Sequence, residues 1–192
     1  ASSSSVYGDS TRLPFRERDR CGKLISPYAV TKQAGEDLCA LFSSHEGIPT
    51  VCLRFFTIYG PRQRREMAIH KFIRRIEAGE TIPVFHRGRS ARDYTYIEDA
   101  VQAILSRLEC RKDFEIYNIG NSNPINLLNL ISEIEYATGK KAKINLLPKQ
   151  PGDVPTTCAD ISKARSELNF SPSFSIRDGL ARFVEWYRSM SS

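Results

Sequence analysis

The stretch Ser26-Pro27-Tyr28-Ala29-Val30-Thr31-Lys32 decides how this chain is read, because it starts a helix and loads its first turns with chemistry. Ser26 offers a hydroxyl to a free first-turn N–H, and Pro27 suits the first helical position, where no backbone donor is needed. Tyr28 and Lys32 then stand four residues apart on one helix face. A free phenol has a pKa of about 10, so it is a poor base at neutral pH until a fixed cation stabilises its anion. Lys32 is placed to be that cation. Lowering a phenol by roughly three units takes about 4 kcal/mol, more than one exposed ammonium supplies. The pattern therefore asks for a second positive charge, such as an oxidised nicotinamide ring. Taken alone, the Tyr-x-x-x-Lys spacing is far more often that of a solvated helix, and its surroundings have to decide.

Working outward, Ser2-Ser3-Ser4-Ser5-Val6-Tyr7-Gly8 precedes the helix and Leu53-Arg54-Phe55-Phe56-Thr57-Ile58-Tyr59-Gly60-Pro61 follows it. In that order the three stretches resemble the extended short-chain dehydrogenase/reductase family, and within it the nucleotide-sugar epimerases and dehydratases. The resemblance runs from the first residue to about Tyr187. It implies that Tyr28 is the base and Lys32 its electrostatic support, and that Ser3 hydrogen-bonds the sugar hydroxyl being oxidised. Backbone near Phe56 would meet the nicotinamide of NAD, and Thr57 would sit beside the substrate. Related dehydratases carry an Asp-Glu pair after the active hydroxyl residue, and related decarboxylases a Glu in this loop. Here Ser4 and Ser5 hold those places as substrate-side residues, which favours epimerisation.

Length and charge set the outer limits. The chain has 192 residues, a formal net charge of +6, and the apolar and charged fractions of a soluble globular protein. No apolar run approaches the roughly 20 residues of a membrane span. Five scattered cysteines (Cys21, Cys39, Cys52, Cys110, Cys158) without Cys-x-x-Cys spacing suit reduced thiols in a cytosol, and three isolated histidines suggest no metal. Arg62-Gln63-Arg64-Arg65 with Lys71, Arg74 and Arg75 resembles a phosphate-backbone footprint, but a nucleic-acid reading leaves the Tyr28 pattern unexplained. A nucleotide diphosphate fits the same charge. None of the eleven glycines forms the glycine-rich turn a dinucleotide fold needs. The expectation is that roughly 110 to 120 residues of a larger enzyme precede this stretch.

The rest of the chain alternates helix and strand. A helix is expected from Pro27 to about Ser44 with Gly47 as its stop, then a buried strand over Thr50–Phe56 ending at Thr57. Helical period marks Met67 to Ala78, with Ile69, Phe72, Ile73 and Ile76 as a core stripe. Ile82–Phe85 reads as a short strand. Val101, Ile104, Leu105 and Leu108 mark a helix opened by Tyr96-Ile97-Glu98-Asp99, and Phe114–Gly120 a strand. Beyond lie helices near Leu127–Thr138, Ser162–Leu168 and Ile176–Tyr187, and a strand near Ile144–Leu147. The fold class expected is α/β: an incomplete Rossmann-like parallel sheet (1–60 and 96–120) with a smaller mixed α/β substrate domain (61–95 and 121–192).

The resemblance supplies the remaining site. An arginine placed like Arg64 is what epimerases acting on UDP-glucuronate use against the sugar carboxylate, a grip of two charge-assisted hydrogen bonds. Arg65 stands where the family has proline. The segment holding Val84 lies against the uracil in relatives, and Arg92 matches the arginine that contacts the diphosphate. Pro151-Gly152-Asp153-Val154 resembles the late substrate-binding turn, with Gln150 where many relatives carry arginine and Asp153 within it. Together these imply an NAD-dependent nucleotide-sugar 4-epimerase on a UDP-sugar, UDP-glucuronate first and UDP-glucose second, with a homodimer formed through the Tyr28 helix; the alternatives are a decarboxylase or dehydratase of the same family and, outside the enzymes, a fragment that only binds.

Overall fold

Helix α1 (Pro27–Glu46) begins and ends on the residues its sequence supplies. Ser26 Oγ accepts from the N–H of Ala29 at 3.1 Å, a cap of about 1 kcal/mol, and Gly47 stops the helix in the left-handed region at φ 63°. The computed structural model describes residues 1–19, 21–107, 113–150 and 154–190. Leu108, Cys110 and the Pro151-Gly152-Asp153 part of the late turn lie outside the described residues.

The chain is α/β. Strands β1 (Ser2–Ser3), β2 (Thr50–Phe55) and β6 (Phe114–Ile119) form a parallel sheet in the order β1-β2-β6. The chain leaves that sheet at Phe56, whose N–H still bonds Ile119 O at 3.0 Å. It opens β3 (Thr57–Tyr59) of a second sheet immediately afterwards. There β5 (Ala91–Tyr96) runs parallel to β3 and antiparallel to β7 (Pro124–Asn126). A third, two-stranded sheet pairs β4 (Thr81–Val84) with β8 (Lys143–Leu146). Hydrophobic patterning gave no hint of β3, β5 and β7. Strand β5 holds Asp93 fully buried, a residue that argues against a strand until its partners are seen: Asn121 N–H at 2.7 Å, Ser122 N–H at 3.0 Å and Ala159 N–H at 2.8 Å.

Two apolar cores follow. One lies between the second sheet and helices α2 (Ala68–Glu77), α4 (Leu127–Thr138) and α6 (Ile176–Ser189), and takes Ile69, Phe72, Ile73 and Ile76 as the period predicts. Each such side chain contributes about 1.5–3 kcal/mol. The other gathers Val6, Tyr7, Leu53, Tyr117 and Ile119 with Ala100 and Ala103 of α3 (Ile97–Arg107) and Ala164 and Leu168 of α5 (Ser162–Leu168). Ala159, Ile161 and Phe170 also pack there, although the sequence boundaries group them with the substrate portion.

Helices α1 and α3 turn small or polar residues inward. Alpha-helical α3 buries Ala100 and Ala103 and leaves Val101, Ile104 and Leu105 exposed, so the period was legible and the facing was not. In α1 the buried residues are Ala29, Glu36 and Ser43, while Leu38, Leu41 and Phe42 are more than half exposed. Among the described residues no helix is long and apolar enough to cross a membrane, and no His, Cys, Asp and Glu cluster could hold a metal ion.

Candidate active site

Strand β1 ends at Ser3 and turns into a short 3-10 helix, Ser4–Tyr7, with Ser3 Oγ accepting from the N–H of Ser5 at 3.2 Å. That turn places the serines at the carboxyl end of a parallel sheet, where open α/β folds present ligand-binding groups. Gly8 makes the turn possible: at φ 61° any side chain would strike the Lys23 carbonyl.

Ser3, Tyr28, Lys32, Phe56, Thr57 and Arg64 all border one cavity of about 610 Å³. The Lys32 ammonium lies 5.6 Å from the centre of the Tyr28 ring and donates to Ala1 O at 2.9 Å. Phe56 is buried, whereas Tyr28 is about half exposed at the mouth. A second cavity of about 240 Å³ shares Ser3, Ser4 and Thr57 with the first and adds Ser5, Ser26, Arg92 and Thr157. Its wall is a row of hydroxyls closed by one guanidinium. Ser5 Oγ is buried there with no hydrogen-bond partner among the described residues, an uncommon state for a buried hydroxyl.

The positively charged residues differ in how they are held. Arg92 Nη1 donates to Ala91 O at 3.0 Å and to Pro155 O at 3.3 Å, which holds one side of its guanidinium where it borders the 240 Å³ cavity. Arg64 is largely exposed, with Nε 3.2 Å from Glu66 Oε1, at the rim of the larger cavity. Its loop is tight: Arg62 takes φ 67°, Gln63 Nε2 donates to Ile58 O at 2.8 Å, and the N–H of His70 donates back to Gln63 Oε1 at 3.3 Å. Arg65, standing in place of proline, leaves that loop well bonded.

Two residues named from sequence lie elsewhere. Val84 is fully buried in the core around α2, α4 and α6, because the alternation of β4 turns Ile82 and Val84 inward and Thr81 outward. It offers no surface to a ligand. Gln150 is exposed and borders neither cavity. Asp153 is outside the described residues. A wider cleft of about 730 Å³ near Arg16 and Lys163 carries none of the expected chemistry, since those cations are paired with Asp160 and Glu115.

Sequence reasoning missed a buried polar network behind the site. Glu36 accepts from Ser2 Oγ at 2.5 Å, from Arg54 Nε at 2.9 Å and from an Arg54 terminal nitrogen at 2.8 Å, with both charged side chains almost wholly buried. Arg54 lies 4.9 Å from the Tyr7 ring, and Tyr7 Oη donates to Asn118 Oδ1 at 2.7 Å. Burial pushes the Tyr7 phenol up to about 12. Burial works against the Arg54 charge, but the bonds to Glu36 outweigh it and raise its pKa. The one signal available was spacing, since Glu36 is a turn beyond Lys32 on the same helix face.

The family model described as the NAD dependent epimerase/dehydratase family matches residues 1–120, more than half of the chain. The chain belongs to the NAD dependent epimerase/dehydratase family. An uncharacterized protein of Methanocaldococcus jannaschii is 45% identical over 187 residues, covering 97% of this chain and 57% of its own length. UDP-glucuronate 4-epimerase 2 of Arabidopsis thaliana is 40% identical over 205 residues, covering 97% of this chain and 47% of its own. Among solved structures, UDP-glucuronic acid 4-epimerase from Bacillus cereus, in complex with UDP-glucuronic acid and NAD, superposes with a TM-score of 0.92 at 39% identity. That match covers 98% of this chain and 60% of the Bacillus one. Within this epimerase/dehydratase family, then, the chain spans roughly three-fifths or less of the length of these relatives.

Proposed function

We propose that this chain forms the sugar-handling part of an NAD-dependent nucleotide-sugar 4-epimerase, an isomerase, and that its substrate is UDP-glucuronate. One observation carries the reading: Ser3, Tyr28, Lys32 and Thr57 border a single cavity that shares Ser3, Ser4 and Thr57 with a hydroxyl-lined pocket bordered by Arg92. Tyr28 takes the proton of the sugar 4-hydroxyl and Ser3 aligns that hydroxyl. Lys32, one turn along, holds the phenolate. The orphaned Ser5 Oγ and the hydroxyls of Ser4 and Thr57 suit a polyhydroxy ring, and Arg92 suits a phosphate.

The residues present fit one end of a dinucleotide. Phe56 and Lys32 border the cavity where a nicotinamide ribose would lie, whereas no glycine fingerprint for the pyrophosphate occurs in these 192 residues. NAD, when bound, supplies the hydride acceptor and donor. We also infer that two copies pair through the outer face of α1, where Val30, Leu38, Leu41 and Phe42 are exposed, and that the setting is cytosolic, where free thiols such as Cys39 and Cys52 stay reduced.

A second reading has its own observation. Arg64 is engaged with Glu66 at the exposed rim, so its grip on a sugar carboxylate has to displace a partner, and UDP-glucose needs no such grip. Assaying both sugars in the full natural polypeptide, before and after Arg64→Ala, separates the two. Loss confined to the acidic sugar supports UDP-glucuronate; equal effects on both support UDP-glucose. In the same polypeptide Tyr28→Phe is expected to lower turnover at least about 100-fold with substrate binding retained. A variant keeping more than about a tenth of the rate contradicts the role given to Tyr28.

A further inference from the structure

The inner face of α1 is unusual for a helix on a parallel sheet. Its three buried residues, Ala29, Glu36 and Ser43, are seven apart, and none is a large hydrophobe. Two of them bind the sheet by polar contacts. Glu36 takes Ser2 on β1 and Arg54 on β2, and Ser43 Oγ donates to Asp113 O at 2.5 Å, just before β6. The helix is therefore pinned to all three strands at named points, while its large apolar side chains face away. A greasy interface tolerates sliding and rotation; a bidentate guanidinium–carboxylate pair fixes both.

The pins sit next to the chemistry. Glu36 follows Lys32 by one turn, about 6 Å along the axis. Ser2 is bonded in sequence to Ser3, and Arg54 lies two and three residues before Phe56 and Thr57. Three separate segments that carry site residues thus converge on one carboxylate. We propose that Glu36, with Arg54 and Ser2, is the positioning element of the site, setting the depth and rotation of α1 so that Tyr28 and Lys32 meet Ser3 across the cavity. This rests on the epimerase reading above. It assigns Glu36 no contact with substrate or cofactor.

The test uses the full natural polypeptide containing this chain. Glu36→Gln combined with Arg54→Met removes both buried charges together, which avoids leaving either unpaired. Ser2→Ala removes one hydrogen bond and keeps the ion pair. The pair variant is expected to fold, with kcat lower by about 100-fold, as a displacement of about 1 Å can produce. Ser2→Ala is expected to lower kcat about tenfold. In both, KM for the UDP-sugar stays within about twofold, because the groups that bind it are untouched. A folded pair variant or Ser2→Ala with wild-type kcat overturns the proposal, as does a loss expressed in KM alone. If the pair variant fails to fold, Ser2→Ala decides. Tyr28→Phe run alongside separates the two readings: an active Tyr28→Phe sinks the epimerase assignment, whereas an inactive one beside a fully active pair variant sinks the positioning role only.

Discussion

Lys32 donates to the carbonyl of Ala1 and lies over the Tyr28 ring, so the pair proposed to carry the chemistry is oriented by the residue just before β1. Other single residues are buried polar groups held by the fold. Asp93 is fully buried with no cation paired to it among the described residues, and burial raises its pKa against the pull of three backbone donors. Asp93→Ala leaves the N–H groups of Asn121, Ser122 and Ala159 without their acceptor. At about 1–3 kcal/mol for an unsatisfied buried group, with partial relief from water, a loss of about 2–4 kcal/mol is expected in urea unfolding. A change under about 0.5 kcal/mol would show the carboxylate to be dispensable. Cys52 offers a chemical probe. Burial, with Cys39 beside it, pushes its thiol up to about 12. In the native chain at pH 8 it should resist iodoacetamide, and peptide mapping should find it modified only after denaturation. Native modification as fast as in the unfolded chain contradicts that burial.

At the scale of elements, close approach decides which face of a helix turns inward. Gly179 in α6 sits against Tyr59 of β3 so tightly that a methyl group there would overlap the Tyr59 hydroxyl and meet its Cζ at 2.8 Å. Gly179→Ala is expected to cost about 1–3 kcal/mol, read as a lower thermal midpoint with unchanged helix content. An unchanged midpoint would mean that α6 can shift freely. The same closeness explains what sequence could and could not supply. The ends of α1 were legible because Ser26 and Gly47 act locally: the Ser26 side chain accepts from Ala29 N–H, and Gly47 takes a left-handed φ. The stripe of α2 was legible because an apolar core selected it. Inward alanines in α3 and an inward glutamate in α1 were not, since only the facing strand gives them a reason. Strand β5 was hidden for a related cause: its Asp93 is balanced by donors 28 and more residues away in the chain. Motif order was enough to single out Ser3, Tyr28, Lys32 and Thr57, which the fold brings to one cavity, whereas Val84, named from its segment, is turned into the core by the alternation of β4.

For the whole molecule, several ties, two of them between distant parts of the chain and one local, are carboxylates whose pKa values the fold lowers. Burial opposes Glu77, but bonds from Lys140 and Arg188 prevail; the Arg177 bonds lower Glu133, and those from Lys141 and the Ala142 N–H lower Glu135. A folded pKa below the unfolded value of about 4.3 gives stability that is present above that value and lost as pH falls through the folded one. The thermal midpoint is therefore expected to fall steadily below about pH 4.5, and the fall to shrink in 1 M salt for the exposed partners. A midpoint flat down to pH 3 would show these ties to be idle. The reaction proposed for Tyr28 and Ser3 is inversion at C4 of the sugar. It is tested with UDP-glucuronate deuterated at C4, turned over by the full natural polypeptide and followed by mass spectrometry and NMR of the product. The expected product is UDP-galacturonate with deuterium still at C4, because hydrogen removed from that carbon returns to its opposite face; product that has exchanged C4 hydrogen with water, or no C4 inversion at all, would overturn the epimerase reading.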